Sequence, residues 1–258
     1  MSNQQALLDF LTYSYFKIIP EEIYRDGGET DYSGYCIKKA IMKAYEDATN
    51  EGAYNTLFKK TIGAEKLDKL KAASVVARKD SAQFLLSQIQ KLSSFAGDYD
   101  EWHNETCKGL RDNYSDVLEN GAPFFTYGNA QKWVNMSMKY IWMLGLLPIE
   151  VPETALHVPI DRYIIDTLWD ANQDIEFPLK EGRNVNRKRS YAKPSDYVIG
   201  WSQWEEKNYC KTFRESISGD EFTLEWENNA WIELPKRERK LILISSMSCF
   251  GKSDWIAF

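Results

Sequence analysis

The side chains best spaced for chemistry are a lysine and an aspartate on two successive predicted helices. Lys132, Asn135 and Lys139 recur at i, i+3 and i+7 along one face of an apolar-periodic run. Asp161 follows Pro159 at the head of the next run. A carboxylate at a helix start is stabilised by unpaired amides and the helix dipole, so it stays ionised. An amine facing it becomes a nucleophile once it is partly neutral, and both desolvation and a nearby cation such as Lys139 lower the pKa of Lys132 in that direction. Such a pair is suited to breaking an N-glycosidic bond. The fixed carboxylate stabilises the positive charge that develops on the sugar. The amine adds to C1′, and β-elimination from the resulting imine nicks the strand. The plain alternative is a solvated lysine on an amphipathic helix and an aspartate that merely starts one.

Two elements must bring these groups together. Gly128-Asn129 reads as a turn and cap, so a helix is expected from near Ala130 to about Leu144, with Gly145 and Pro148 as stop signals. Ala130, Val134, Ser137, Met138 and Ile141 form its second face. His157-Val158-Pro159-Ile160 then delivers Asp161 to a helix over Arg162–Trp169. The amides from Tyr127 to Ala130 are placed to grip a phosphate. Trp102, Trp133, Trp201 and Trp204 are candidates to stack on a base that has left the helix, with burial in the core as their ordinary use.

The remaining chain reads mostly as helix. Runs are expected over 5–16, 32–48, 64–78, 81–92 and 98–118, and a further helix opens at Pro194 and carries Val198, Trp201, Trp204, Cys210 and Phe213. Residues 221–226 alternate as a strand would, and Asn228-Asn229 could turn them into a small hairpin near the C-terminus. Gly182 to Lys193 carries five basic residues and no acid, an exposed loop in which Arg183, Arg187, Lys188 and Arg189 are candidates for phosphate contact. The run Leu241–Ile244 fits a buried helix or a strand equally well.

Composition bounds the answer. At 258 residues with nine Trp, 15 Tyr and 12 Phe, the chain has ample material for a core, and 1–258 is read as a single compact α-rich unit. A net charge of −6 argues against a general polyanion coat but leaves room for a local basic groove. Cys36, Cys107, Cys210 and Cys249 show no close pairing, and there are two histidines, so no metal and no redox pair is expected. No basic leader precedes an apolar segment, and no run reaches the roughly 20 apolar residues of a membrane span. The expectation is a cytoplasmic monomer that does not enter a membrane.

The run Ala130–Lys139, together with His157-Val158-Pro159-Ile160-Asp161-Arg162-Tyr163, resembles the catalytic segment of the helix-hairpin-helix DNA glycosylase superfamily, and most closely its archaeal 8-oxoguanine glycosylase branch. The likeness covers about the middle fifth of the chain. It implies a two-lobed helical fold with a helix-hairpin-helix element and catalytic segment over 121–170. Lys132 would be the Schiff-base lysine and Asp161 the aspartate. DNA would be bound as a duplex with a flipped base, without a cofactor. Tyr127, Gly128, Asn129, Gln131, Asn135 and Lys139 would contact it. In this family's hairpin the lysine lies two positions after the last glycine, whereas Lys132 lies four after Gly128, so Lys139 stays a rival nucleophile. The four-cysteine iron–sulfur pattern of the endonuclease III branch is absent. Outside that resemblance, two other classes fit: a non-catalytic nucleic-acid-binding helix-hairpin-helix module, and an all-α protein-interaction domain.

Overall fold

The structure is a computed structural model, and it describes residues 3–18, 32–49, 64–94, 97–114, 125–171, 175–183, 194–217 and 222–230. Among these the chain is mostly helical, with no strand beyond one isolated antiparallel bridge between Leu179 and Val198. We number the helices α1 (Asn3–Phe16), α2 (Tyr32–Thr49), α3 (Ala64–Lys91), α4 (Tyr99–Asp112), α5 (Tyr127–Met143), α6 (Arg162–Ala171), α7 (Pro194–Tyr197), α8 (Lys207–Arg214) and α9 (224–230).

Helix α5 is the axis of the molecule. Fourteen of its 17 residues are buried, because α2 and α4 pack along it and the turn Trp201–Gln203 covers its first residues. The contact with α2 is close for a reason visible in sequence. Ala40, Ala44 and Ala48 repeat every four residues and present no bulk, so Trp133 reaches across to donate from Nε1 to the Ile41 carbonyl at 2.9 Å. Its ring also meets Tyr45 edge-on, with centroids 4.8 Å apart. Truncating so enclosed a tryptophan to alanine costs about 3–5 kcal/mol.

Local signals set the ends of these helices. Thr126, not Asn129, caps α5: its side chain accepts from the Asn129 amide, and Gly128-Asn129 form the first turn instead of preceding it. At the other end Gly145, at φ +69°, closes the helix as expected. Asp98 caps α4 by accepting from the Asp100 amide at 2.8 Å. The buried face of α4 runs through Tyr99, Trp102, His103, Thr106, Cys107 and Leu110, a helical stripe.

Several expectations fall differently. The two runs at 64–78 and 81–92 are one helix, α3, since nothing between them breaks the backbone. The single helix expected from Pro194 is three pieces: Val198 pairs with Leu179, Gly200 is extended, and α8 restarts beyond Trp204 with wide turns in which the Glu215 amide donates to Cys210. No hairpin forms over 222–230. Thr223 instead accepts from the Trp226 amide at 3.2 Å and starts α9, which places Leu224 and Glu227 on its buried side. The last residues of the run expected over 98–118, from 115 onward, and the run Leu241–Ile244 lie outside the described residues. Among the described residues no helix is long and apolar enough to cross a membrane.

Candidate functional site

Lys132 and Asp161 meet. Lys132 Nζ lies 3.7 Å from Asp161 Oδ2, with both side chains largely buried. Asp161 reaches this position at the end of an arm without regular secondary structure, 157–160, that lies buried beside α5. There it caps α6: Oδ1 accepts from the Ile164 amide at 3.0 Å, which leaves Oδ2 turned toward the lysine. The far side of the ammonium is covered by the Trp201 ring, 4.5 Å from Nζ to the centroid. Burial lowers the pKa of Lys132, and the charges of Asp161, Asp47 and Glu227 oppose that shift. The cation expected to assist, Lys139, is matched by its own carboxylate: its Nζ is 2.6 Å from Glu227 Oε2, and Glu227 is fully enclosed.

These groups line one cleft of about 410 Å³, together with Tyr15, Asp47, Met136, Tyr140, Met143 and Asn228. On α5, Lys132, Met136, Lys139, Tyr140 and Met143 follow the i, i+4, i+7, i+8, i+11 series and so form a single stripe facing the cleft. The opposite wall converges on Asp47. Its Oδ2 accepts from Tyr15 at 2.9 Å and from Tyr140 at 2.6 Å, while Lys43 Nζ sits 2.5 Å from Oδ1. Burial and the hydrogen bond to Asp47 push the Tyr140 hydroxyl well above the ordinary phenol value. The cleft therefore holds an amine whose pKa is lowered by burial, three carboxylates and two phenols around a space large enough for a heterocyclic base.

The other sequence candidates are distributed differently. Tyr127, Gly128, Asn129 and Gln131 are buried and already bonded within the protein. Tyr127 donates to Asn104, the Gly128 amide to the Trp204 carbonyl at 2.8 Å, the Asn129 amide to Thr126, and Gln131 to the Gly128 carbonyl. The expected phosphate grip at the head of α5 is therefore not offered: the Trp201–Trp204 segment occupies that place, so close that a Cβ on Gly128 would sit 1.9 Å from the Trp201 carbonyl oxygen. Asn135 also faces away from the cleft. It shares a side of α5 with Gln131 and is bonded to four protein groups, because i+3 and i+7 from Lys132 diverge by enough to separate it from Lys139. Trp102, Trp133 and Trp204 are core residues, the last with its indole donating to Ile199. Of the four tryptophans Trp201 alone touches Lys132 among the contacts of the described residues. Arg183 is exposed and lies over the Tyr197 ring at 5.6 Å; Arg187, Lys188 and Arg189 lie outside the described residues.

Sequence reasoning missed Tyr15, Asp47 and Glu227. The α5 stripe could have given Met136, Tyr140 and Met143 by counting from Lys132. Glu227 was hidden by the strand reading of its segment. Among the described residues no group of three or more His, Cys, Asp or Glu side chains could hold a metal ion, and Cys36, Cys107 and Cys210 are not in disulfides. No family model matches this sequence, and no curated protein or solved structure matches it either.

Proposed function

We propose that the chain is a DNA glycosylase with AP-lyase activity, acting on a damaged or modified base extruded from a duplex. The observation that carries the proposal is the approach of Lys132 Nζ to Asp161 Oδ2, at 3.7 Å inside a cleft of about 410 Å³. Neutral Lys132 attacks C1′ while the glycosidic bond breaks, its electron pair leaving with the base, which takes up a proton. Asp161 stabilises the cationic sugar as that bond lengthens. Loss of the lysine's proton and ring opening give the imine. Removal of a C2′ proton then expels the 3′ phosphate and cuts the strand. Trp201 and the Met136–Met143 stripe exclude water from the amine, which keeps it nucleophilic.

The same proposal includes two helical lobes on either side of this cleft, with a helix-hairpin-helix element in 121–170. It is supported by the central position of α5 and by the arm that returns Asp161 to it. The biological setting is repair of damaged bases or defence against foreign DNA with modified ones.

Borohydride trapping tests the proposal. Duplexes carrying an abasic site, or a panel of modified bases, should yield a covalent adduct on the Lys132 peptide. Lys132→Gln should abolish it, and Asp161→Asn should remove base release while the fold is retained. Absence of both adduct and base release across the panel would defeat the enzymatic reading.

A further inference from the structure

We propose that Asn135, held by Tyr209 and His103, is the positioning residue of the Lys132–Asp161 pair. It ties the arm that carries Asp161 to the helix that carries Lys132. The catalytic meaning of this tie rests on the glycosylase reading, whereas its geometry does not.

Asn135 lies one helical turn beyond Lys132, about 4.5 Å along the axis. It is buried at 1% exposure and engaged on both ends of its amide. Oδ1 is 2.7 Å from His103 Nε2; Nδ2 is 2.9 Å from Gln131 Oε1, 3.1 Å from the Val158 carbonyl and 3.2 Å from the Tyr209 hydroxyl. The bond to Val158 is the informative one. Residues 157–160 have no regular secondary structure and make no backbone ladder among the described residues, so this side-chain bond is a direct polar tie between the arm and α5. Asp161 follows three residues later. A sideways shift of the arm at Val158 is carried directly into the position of the carboxylate.

The amide itself is fixed from behind. Tyr209 Oη lies within reach of both Asn135 Nδ2 and His157 Nδ1, the latter at 3.1 Å. His157 Nε2 faces Asp100, which Arg214 Nε approaches at 3.3 Å. His103 and His157 stack with ring centroids 4.2 Å apart. Side chains from α4, α5 and α8 thus converge on an arm with no regular structure of its own. Buried polar groups connected this fully impose one geometry where an apolar core would tolerate several. At an active site, displacement by about 1 Å lowers the rate about 100-fold.

The test follows Lys132 by two routes. Asn135→Leu and Tyr209→Phe are compared with the unaltered protein in borohydride trapping on an abasic duplex, and in reductive methylation by formaldehyde and cyanoborohydride. Methylation of Lys132 is read by peptide mass spectrometry across pH. Asn135→Leu should slow trapping about 100-fold at unchanged DNA affinity. It should also move the methylation profile of Lys132 to lower pH, because the receding Asp161 charge no longer favours the ammonium. Tyr209→Phe, which removes one hydroxyl and leaves a buried ring in place, should shift both in the same direction by less. It carries the test alone if Asn135→Leu does not fold. Methylation profiles that superimpose on the unaltered protein overturn the proposal, since a merely structural role leaves Lys132 untouched. Shifted profiles in a protein that traps no DNA would support the positioning role and refute the glycosylase reading.

Discussion

Lys139 Nζ lies 2.6 Å from Glu227 Oε2, and this contact separates the two lysines of the cleft. Lys139 has a close buried carboxylate that engages its ammonium directly; Lys132 has a partner 1.1 Å further off (3.7 against 2.6 Å), and burial lowers its pKa. The trapped adduct should therefore map to Lys132 and not to Lys139. Glu227→Gln should lower stability by about 3–5 kcal/mol in urea denaturation, because it leaves the Lys139 charge buried without its partner. Replacing both, Lys139→Met with Glu227→Leu, should restore most of that loss. An adduct on Lys139 would reverse the assignment.

The rate of imine formation should rise with pH and level off below the ordinary lysine value, since the neutral amine is the reacting form and burial lowers its pKa. Asp161→Asn removes a charge that opposes this shift, so its profile should level off at still lower pH although base release slows by about 10²-fold or more. The same shift has a sign for folding. Between the depressed folded value and the ordinary lysine value of 10.5 the unfolded chain holds a proton that the folded chain lacks, so stability falls as pH drops through that window. Lys132→Met should be more stable than the unaltered protein at neutral pH, measured by urea melts. Equal or lower stability would contradict the desolvation on which the nucleophile depends.

Much of this site was legible because it follows helical periodicity. Lys132 and Asp161 stand at positions with local signals, one on an apolar-periodic run and one at a helix start, and both signals are short-range. The wall that faces them was not legible. Tyr15, Asp47 and Glu227 come from α1, α2 and α9, and their arrival in the cleft depends on how those helices cross α5, which no local pattern encodes. The phosphate grip at Tyr127–Ala130 failed for the same reason: whether a helix start is free for a ligand depends on what else packs there, and here Trp201–Trp204 does. The strand reading of 221–226 failed locally, where the Thr223 cap outweighed an alternating pattern only a few residues long.

Gly128 gives a substitution whose sign distinguishes local propensity from packing. In a free helix, Gly128→Ala would gain about 1 kcal/mol. Here the added Cβ would lie 1.9 Å from the Trp201 carbonyl oxygen and 3.0 Å from its carbonyl carbon, so backbone must move. The variant should be destabilised by about 1–3 kcal/mol. The displaced Trp201 should also uncover Lys132, seen as faster formaldehyde methylation of that residue. A more stable Gly128→Ala protein would mean that the Trp201–Trp204 segment does not lie over the head of α5.

The His157–Asp100 contact sets the expected response to acid. Burial pushes His157 down to about 4 despite the adjacent carboxylate, and the hydrogen bond from His157 holds Asp100 below the usual carboxylate range. Between about 4 and the ordinary histidine value of 6.5, the unfolded state binds a proton at His157 that the folded state does not, so stability falls as pH drops through this window. Asp100 adds a further loss below the ordinary aspartate value of 3.8, where its carboxyl is protonated in the unfolded chain first. Both contributions have the same sign. Urea denaturation at pH 7, 5.5 and 4 should show a steady decline, and His157→Gln, which cannot titrate, should flatten the upper part of it even if it is less stable throughout. Since His157 also supports Tyr209 and Asn135, an unaltered slope in His157→Gln would show that the neutral imidazole is not what holds the arm in place.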